Sequence, residues 1–350
     1  MSVSALISLL QSAIIFGTVI MFGCLGEILT EKSGNLNLGV PGIMYIGGIA
    51  SLVCVFFYEN SVEAPSPVLC VLIAFFSGFA AAALAGLLFS FLTVTLRANQ
   101  NVTGLTLTIF GSGVANFFGG SLNRLAGGVG QISTSVTSSA FRTPMPGLSS
   151  VGFAHIGELF SSFGFMVYFA IICAIILNFV IKRTRVGLNL RAVGENPSTA
   201  DAAGINVTAY KYAATCLGAG ICGLGGVFYV MDYIKGTWAN DGSIEKLGWL
   251  AVALVIFTTW KALNAIWGAY LFGVLFWMYF YISNLTRSSQ ELFKMLPYIV
   301  TQEKGKSASG GARSSVFPRR KIISGKLKAA AVFTAAASLC SALIRRRRRL

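Results

Sequence analysis

The residues best suited to chemistry in this sequence are amides and glycines that lie in short polar clusters beside apolar runs. The first cluster holds Asn35, Asn37, Gly39 and Gly42 between two apolar blocks. Asparagine side chains both donate and accept hydrogen bonds. Glycines interrupt a membrane helix, which is tolerated only where protein buries the backbone or water fills a cavity. The pattern predicts either a broken helix near residues 34–42 that lines the path of a polar solute, or a tight cytoplasmic turn.

A second polar cluster opens a later apolar block with Asn99, Gln100, Asn101 and Thr103. One interpretation is local, because Asn101 is suited to cap a helix by accepting hydrogen bonds from its first N–H groups. The alternative is that the other three residues face a pathway, where amides and a hydroxyl would bind a hydroxylated solute. The candidate pathway residues are therefore Asn35, Asn37, Gly39, Gly42, Asn99, Gln100 and Thr103.

A third polar segment, residues 182–210, separates two apolar blocks and carries dense helix signals. Asn196 followed by Pro197 has the form of a helix start, with asparagine as the cap and proline in the first helical position. We expect a short helix from Pro197 to Ala203 that ends at Gly204. Its alanines give it a small surface that would fit a groove in a partner, and nothing in it indicates catalysis.

No constellation in the sequence supports catalysis or a cofactor site. His155 is the sole histidine, and one imidazole without a paired nucleophile does not make a hydrolytic site. The seven cysteines form no CxxC pair, which argues against a zinc site or a disulfide framework. Residues 305–307 end like a phosphate-binding loop, but Val300 stands where that motif requires glycine. We expect no catalytic residue, metal or cofactor in this chain.

The apolar composition of the chain sets its class. Hydrophobic residues make up 55% of the 350 residues and charged residues 11%, against about 25% charged in a soluble domain. Runs such as residues 163–181 have the roughly 20 apolar residues needed to cross a bilayer core. We predict an all-α polytopic membrane protein with about 8–10 transmembrane helices. The apolar blocks are residues 5–25, 38–58, 68–96, 103–119, 162–181, 211–231, 248–260, 262–284 and 291–301.

Cations between the apolar blocks predict the orientation in the membrane. Lysine and arginine concentrate in cytoplasmic loops, which assigns Lys32, Arg97, residues 182–210 and Lys261 to the cytoplasm. The amino terminus then lies outside and the carboxyl terminus lies in the cytoplasm.

Four motifs together resemble a known family. They are Thr-x2-Gly-x3-Arg-Ala-x-Gly-x-Asn-x3-Ala-x3-Gly-Ile at residues 184–205, Glu-Lys-Ser-Gly-Asn-Leu-Asn-Leu-Gly at 31–39, Leu-Arg-Ala-Asn-Gln-Asn-Val-Thr-Gly at 96–104, and Gly-Leu-Gly-Gly at 223–226. The chain resembles the permease subunits of bacterial ABC importers over residues 9–301. The particular branch serves nucleosides and simple sugars and is related to branched-chain amino acid permeases.

The resemblance implies roles and partners. In that family a coupling helix in the cytoplasmic loop docks on the ATPase subunit. That role falls here on Arg191, Gly194, Glu195, Asn196, Pro197, Ala200, Ala202, Ala203 and Gly204. The chain would be a transport subunit and not an enzyme, with ATP and Mg bound by a separate ATPase. The other expected partners are a second permease subunit in a heterodimer, an external solute-binding protein or lipoprotein, and the lipid of the bacterial cytoplasmic (inner) membrane, but no nucleic acid.

The resemblance favours a nucleoside as the transported solute, with a simple sugar of the ribose or galactose type as the alternative. The alternative from another class is a secondary transporter driven by an ion gradient. Such a transporter usually carries an ionisable group within a span. The predicted spans hold almost none away from their ends, which favours the ATP-driven class. Three acids are assigned to an outer loop and expected to be solvated, with contact to an external binding protein as the alternative: Asp232, Asp241 and Glu245.

The carboxyl-terminal part departs from the family pattern after Val300. Residues 301–350 hold 13 lysines and arginines and one acid, where more apolar residues would complete the last helix. A basic tail of this kind contacts anionic lipid headgroups more often than nucleic acid. We therefore expect a permease domain over residues 1–301 and a low-complexity basic tail over residues 302–350. A frameshift that replaces the original end of the last helix would produce such a tail.

Overall fold

The computed structural model describes residues 3–125, 132–143, 162–239 and 241–281. The apolar block predicted at 291–301, the basic tail at 302–350 and His155 lie outside the described residues.

Helices form the regular structure of the described ranges, and the sole β feature there is an isolated bridge between Ser133 and Thr237. In chain order the helices are α1 (Val3–Lys32), α2 (Val40–Ser61), α3 (Pro67–Ser90), α4 (Gln100–Leu125), α5 (Ser135–Arg142), α6 (Phe165–Arg183), α7 (Arg185–Glu195), α8 (Pro197–Ala202), α9 (Val207–Phe228), α10 (Ser243–Phe257) and α11 (Ala262–Trp277). The π-helical turns Phe91–Thr95 and Tyr229–Tyr233 continue α3 and α9, and the 3-10 turn Met278–Phe280 follows α11.

Six helices are long and apolar enough to cross a membrane: α1, α2, α3, α4, α6 and α9. The shorter α10 and α11, of 15 and 16 residues, pack against α1 and against each other. These eight helices account for every predicted apolar block that falls within the described residues. The prediction of an all-α polytopic membrane protein is confirmed.

Helix α9 forms the centre of the bundle and packs against α1, α2 and α3. Its glycines allow backbones to approach closely, as small residues do in membrane interiors. A Cβ added to Gly226 would lie 1.9 Å from the carbonyl oxygen of Met44, and one added to Gly223 would lie 2.2 Å from Cβ of Ala82. The Gly-Leu-Gly-Gly motif is therefore the surface on which α2 and α3 are held.

The connection between α1 and α2 runs from the end of α1 into the interior of the helix bundle. A Cβ added to Gly23 of α1 would lie 3.6 Å from Cγ1 of Val40, the first residue of α2. Gly23 precedes the end of α1 at Lys32 by nine residues, which is about 13 Å along a helix. Residues 33–39, the re-entrant segment, therefore run from one end of the bundle to well inside it. The irregular backbone predicted near residues 34–42 is present at residues 33–39, whereas Pro41 and Gly42 belong to the first turn of α2. That this segment lines a solute path stays a prediction.

The cationic segments predicted to share one side of the membrane meet at one end of the bundle. A Cβ added to Gly194 of α7 would lie 2.2 Å from the carbonyl oxygen of Lys32. Beside Lys261, Nε1 of Trp260 donates a hydrogen bond to Oε2 of Glu31 at 2.6 Å. We call this end, which also holds the start of α4, the Lys32 end.

At the opposite end, the assignment of Asp232 to a solvated outer loop is wrong. Asp232 belongs to the π-helical turn that continues α9 and is 7% exposed. The loop begins later than predicted because α9 continues beyond Phe228 in π-helical form. Asp241 does lie exposed in that loop, where its Oδ1 accepts a hydrogen bond from the backbone N–H of Ser243 at 3.0 Å.

Candidate functional site

Side chains satisfy the backbone of the re-entrant segment as it enters the bundle. The segment turns at Gly34, whose φ of 87° lies in the left-handed region that favours glycine. The N–H of Leu36 donates to Oε1 of Gln100 at 2.9 Å, and the N–H of Gly39 donates to Oδ1 of Asn37 at 2.8 Å. Buried backbone donors need such partners, so the amides of both predicted polar clusters help to hold this irregular backbone inside the protein.

A buried carboxylate supports the same segment. Glu27 is fully buried within the span Ala5–Lys32, and its Oε1 accepts a hydrogen bond from the N–H of Asn37 at 3.0 Å. Glu27 was not among the predicted pathway residues, because it follows the predicted apolar block at residues 5–25. Glu27 is therefore an exception to the expectation that ionisable groups are nearly absent away from the span ends, since it lies five residues before the end of its span.

Asn35 lies in the re-entrant segment with an incompletely satisfied amide. The side chain is 1% exposed, and its Nδ2 donates to Oγ1 of Thr215 on α9 at 3.0 Å. Its Oδ1 has no hydrogen-bond partner in the part of the chain that the structure describes. If the amide is rotated so that its oxygen and nitrogen exchange places, one of the two atoms still has no hydrogen-bond partner among the described residues. An unsatisfied buried polar atom costs about 1–3 kcal/mol, so the amide of Asn35 is a costly feature of the re-entrant segment.

A cavity of about 490 Å³ lies at the Lys32 end, where the re-entrant segment, the start of α4 and α7 meet. Three predicted pathway residues, Asn35, Asn99 and Gln100, line it. Glu31 and Gly194, which were not predicted for the pathway, also line it. Clusters separated by about sixty residues in the sequence thus form one polar surface, shared with the segment predicted to couple to a partner.

The start of α4 is organised by Asn99 and not by Asn101, so the predicted cap is corrected. Oδ1 of Asn99 accepts hydrogen bonds from the N–H groups of Asn101 at 3.0 Å and Val102 at 3.3 Å. The helix begins at Gln100, which puts Asn101 inside the first turn. Oγ1 of Thr103 donates to the carbonyl oxygen of Asn99 at 2.9 Å and so belongs to the same turn.

The other predicted pathway residues lie deeper in the protein. Asn37 is buried beside Glu27. Gly39 and Gly42 lie where α2 meets α4, since a Cβ added to Gly42 would lie 2.2 Å from the carbonyl oxygen of Leu107. These residues set the path of the backbone, whereas Asn35, Asn99 and Gln100 reach the cavity.

The segment predicted to couple to a partner forms two short helices, α7 and α8, which we call the coupling segment (residues 185–202). Oγ1 of Thr184 accepts from the N–H of Gly187 at 3.1 Å and caps α7. Oδ1 of Asn196 accepts from the N–H of Thr199 at 3.2 Å and caps α8, with Pro197 in the first helical position. The predicted cap and proline are confirmed, and α8 ends one residue before the predicted end.

The coupling segment has an inner and an outer face. Ala200 is buried, Arg191 and Gly194 are half-buried, and Gly194 contacts the end of α1. The exposed members of the predicted set are Glu195, Asn196, Pro197, Ala202, Ala203 and Gly204. One face is thus held against the bundle while small residues form a free surface on the other.

Comparison with known proteins relates this arrangement to transport. A Lactococcus lactis protein named as a nucleoside ABC transporter permease, NupC, is 30% identical over 85% of this chain and 91% of its own length. A Bacillus subtilis protein named as a guanosine ABC transporter permease, NupQ, is 28% identical over 84% and 89%. A candidate glucose ABC transporter permease of Haloferax volcanii is 31% identical over 76% and 75%.

No solved structure matches the chain. The family model described as "Branched-chain amino acid transport system / permease component" matches residues 9–301, which include every helix described above except the first six residues of α1. The re-entrant segment, the cavity and the coupling segment all fall within that match. The chain therefore belongs to this permease family, whose members are transmembrane subunits of ABC transporters.

Proposed function

We propose that this chain is the transmembrane permease subunit of an ABC importer that moves a nucleoside across the bacterial cytoplasmic membrane. The observation that carries the proposal is the family match over the whole described bundle. The choice of a nucleoside is supported by the two relatives named as nucleoside and guanosine permeases, which align with more than four-fifths of the chain.

In this proposal the amide-lined cavity belongs to the solute pathway. Asn35, Asn99 and Gln100 hydrogen-bond the solute, and Asn37 supports the wall from within. Gly39, Gly42 and Thr103 hold the backbone that carries these side chains. Amides suit a nucleoside because its hydroxyls and base edges both donate and accept hydrogen bonds.

The coupling segment is proposed to dock on a cytoplasmic ATPase, which supplies the ATP and Mg sites. The free surface of small residues, with Ala202 and Ala203 exposed, would enter a groove on that subunit. Two ATPase subunits that close on nucleotide would move the coupling segments of two permease subunits and switch the pathway between its openings. The Lys32 end then faces the cytoplasm, the amino terminus lies outside, and an external binding protein or lipoprotein delivers the solute.

A sugar is the second candidate solute, favoured by the relative named for glucose. Sugar hydroxyls would use the same amide donors and acceptors. A direct test is to isolate this subunit from native membrane in mild detergent, identify its companions by mass spectrometry, and measure solute binding by the external protein that accompanies it. We expect an ATPase, a second permease and nucleoside binding. Sugar binding without nucleoside binding would replace the solute, and absence of an ATPase would contradict the importer assignment.

A further inference from the structure

We propose that the junction between α6 and α7 binds the headgroup of an anionic phospholipid in the membrane leaflet at the Lys32 end. The site, which we call the basic junction, consists of Lys182, Arg183, Arg185, Val186 and Leu188. Its three cations contact the lipid phosphate, and its two apolar side chains contact the first carbons of the acyl chains. This inference goes beyond the proposed function, because it holds for any transported solute.

The basic junction lies at the boundary of the membrane. The span formed by α6 ends at Arg183, and α7 begins two residues later. A Cβ added to Gly187 would lie 2.1 Å from the carbonyl oxygen of Val180, so the first turn of α7 packs beside the last turn of α6. Val186 and Leu188 therefore lie at the depth where headgroups meet acyl chains.

The charge of the basic junction is not neutralised by the protein that the structure describes. Lys182, Arg183 and Arg185 are exposed, and no carboxylate within the described ranges forms an ion pair with them. The other exposed cations at this end, Arg97 and Lys261, are isolated in the sequence. Cations that lie next to a span attract anionic headgroups. A zwitterionic headgroup would leave the net charge of the basic junction uncompensated.

Exposed apolar side chains accompany these cations. Val186 is 56% exposed and Leu188 59%, and Phe179, one turn before the end of α6, is 59% exposed. The opposite face of α7 is buried against the bundle at Gly187, Leu190 and Val193. Cations and large apolar residues on one exposed surface are typical of a helix that lies in the membrane interface. Acyl chains would cover the apolar residues, whereas free phosphate would leave them in water.

The basic junction is fixed in place and is separate from the surface proposed to dock on an ATPase. Nδ2 of Asn189 donates to the hydroxyl of Tyr210 at 2.9 Å, which ties α7 to α9. The 11 residues of α7 extend over about 16 Å, and the exposed Ala202 and Ala203 follow beyond its far end. A lipid at the basic junction and an ATPase at α8 can therefore bind at the same time.

A fluorophore in the basic junction provides the test. The complete transporter is placed in nanodiscs of dioleoyl phosphatidylcholine with increasing fractions of dioleoyl phosphatidylglycerol. Leu188→Cys carries a bimane label, and Leu263→Cys, next to Lys261 and 39% exposed at position 263, is the matched control. The unsubstituted chain measures labelling of its native cysteines. We expect phosphatidylglycerol to shift the bimane emission at position 188 to shorter wavelength in a saturable way, with no saturable shift at position 263.

Removal of the cations should weaken this binding stepwise. Each cation near an anionic surface changes the affinity about fivefold, so Arg183→Gln and Arg185→Gln should each raise the half-saturating fraction of phosphatidylglycerol about fivefold. The triple variant that adds Lys182→Gln should show no saturable shift. Lys182→Arg keeps the charge and should keep the binding, and Lys261→Gln should leave the binding unchanged. Raised salt should weaken the shift, because it screens exposed charges.

Three results would overturn the lipid site. They are a shift of equal size in phosphatidylcholine alone, a saturable shift retained by the triple variant, and a shift produced by inorganic phosphate without phosphatidylglycerol. A shift that requires the ATPase and not phosphatidylglycerol would also overturn it and would extend the docking surface to the basic junction. The importer assignment stands in each case, whereas purification without an ATPase would overturn that assignment and leave the lipid site intact.

Discussion

A single methyl group at Gly194 should weaken the contact between the coupling segment and the re-entrant segment while leaving the fold intact. In Gly194→Ala the new Cβ would lie 2.2 Å from the carbonyl oxygen of Lys32 and 3.0 Å from its carbonyl carbon. Ordinary contact needs more than about 3.4 Å between such atoms, so the two backbones must separate by about 1 Å. Overpacking of this kind costs about 1–3 kcal/mol.

The same substitution should have a smaller effect on the stability of the whole subunit. Gly194 lies within α7, where alanine is preferred over glycine by roughly 1 kcal/mol. That gain offsets part of the overpacking cost in the folded protein but does not restore the contact. The equilibrium constant between the seated and unseated states of the coupling segment on α1 should therefore fall by about 5- to 150-fold for 1–3 kcal/mol.

The assay is the number of solute molecules taken up per ATP hydrolysed by the complete transporter in proteoliposomes. We expect Gly194→Ala to reduce this ratio several-fold while ATP hydrolysis continues. Gly113→Ala is the control, because a Cβ added to Gly113 has no atom within 4 Å. An unchanged ratio in Gly194→Ala would refute the mechanical link between the coupling segment and the re-entrant segment.

Three further predictions concern docking, the buried carboxylate and the helix core. Ala202→Trp, on the exposed face of α8, should leave the melting temperature of the subunit unchanged but prevent copurification of the ATPase; undiminished copurification would remove this face from the docking surface. Glu27→Ala should destabilise the subunit by about 1–3 kcal/mol, because the buried N–H of Asn37 loses its acceptor. Glu27→Gln should cost less, since an acceptor oxygen remains. Equal losses of stability for the two variants in thermal denaturation would contradict this prediction. Gly226→Ala should abolish accumulation of folded subunit, because its Cβ would lie 1.9 Å from the Met44 carbonyl oxygen. Gly120→Ala, which has open space around the added Cβ, should accumulate normally. Immunoblots of membranes measure both variants.

Local signals allowed parts of the fold to be predicted closely. The start of α8 follows from Asn196 and Pro197 alone, because a capping side chain and a proline act within one helical turn. The apolar blocks likewise predicted the spans, since the length needed to cross a membrane is fixed by the bilayer. Both features depend on neighbouring residues only. The start of α8 is confirmed, and six of the predicted blocks form helices long enough to cross a membrane within the described residues.

Features set by distant contacts were not predictable in the same way. The cap of α4 was predicted at Asn101, whereas Asn99 forms it. That position depends on the path of the chain leaving α3, where Arg97 has a φ of 54°. The π-helical turn that buries Asp232 interrupts ordinary helical periodicity and leaves no simple pattern. Glu27 lies just after the predicted apolar block at residues 5–25, and its partner Asn37 on the re-entrant segment becomes evident only when the chain folds back.

The candidate cavity shows the same division. The amide clusters were identified from residue type, and Asn35, Asn99 and Gln100 do meet at one cavity. Their meeting with Gly194 was not predicted, because it depends on how α7 packs against the end of α1. Gly39 and Gly42 were assigned to the pathway from their position in the cluster, whereas their glycine character is explained by close packing against α4.

The most direct test of the account is uptake of radiolabelled uridine and guanosine by cells that carry the complete transporter, compared with cells lacking this chain, with ATP and the ion gradients controlled separately. The account predicts uptake that requires this chain and ATP and that persists when an ionophore collapses the gradients while ATP is maintained. Loss of uptake on collapse of the gradients at constant ATP would contradict it and would make the buried Glu27 a candidate coupling site for a secondary transporter.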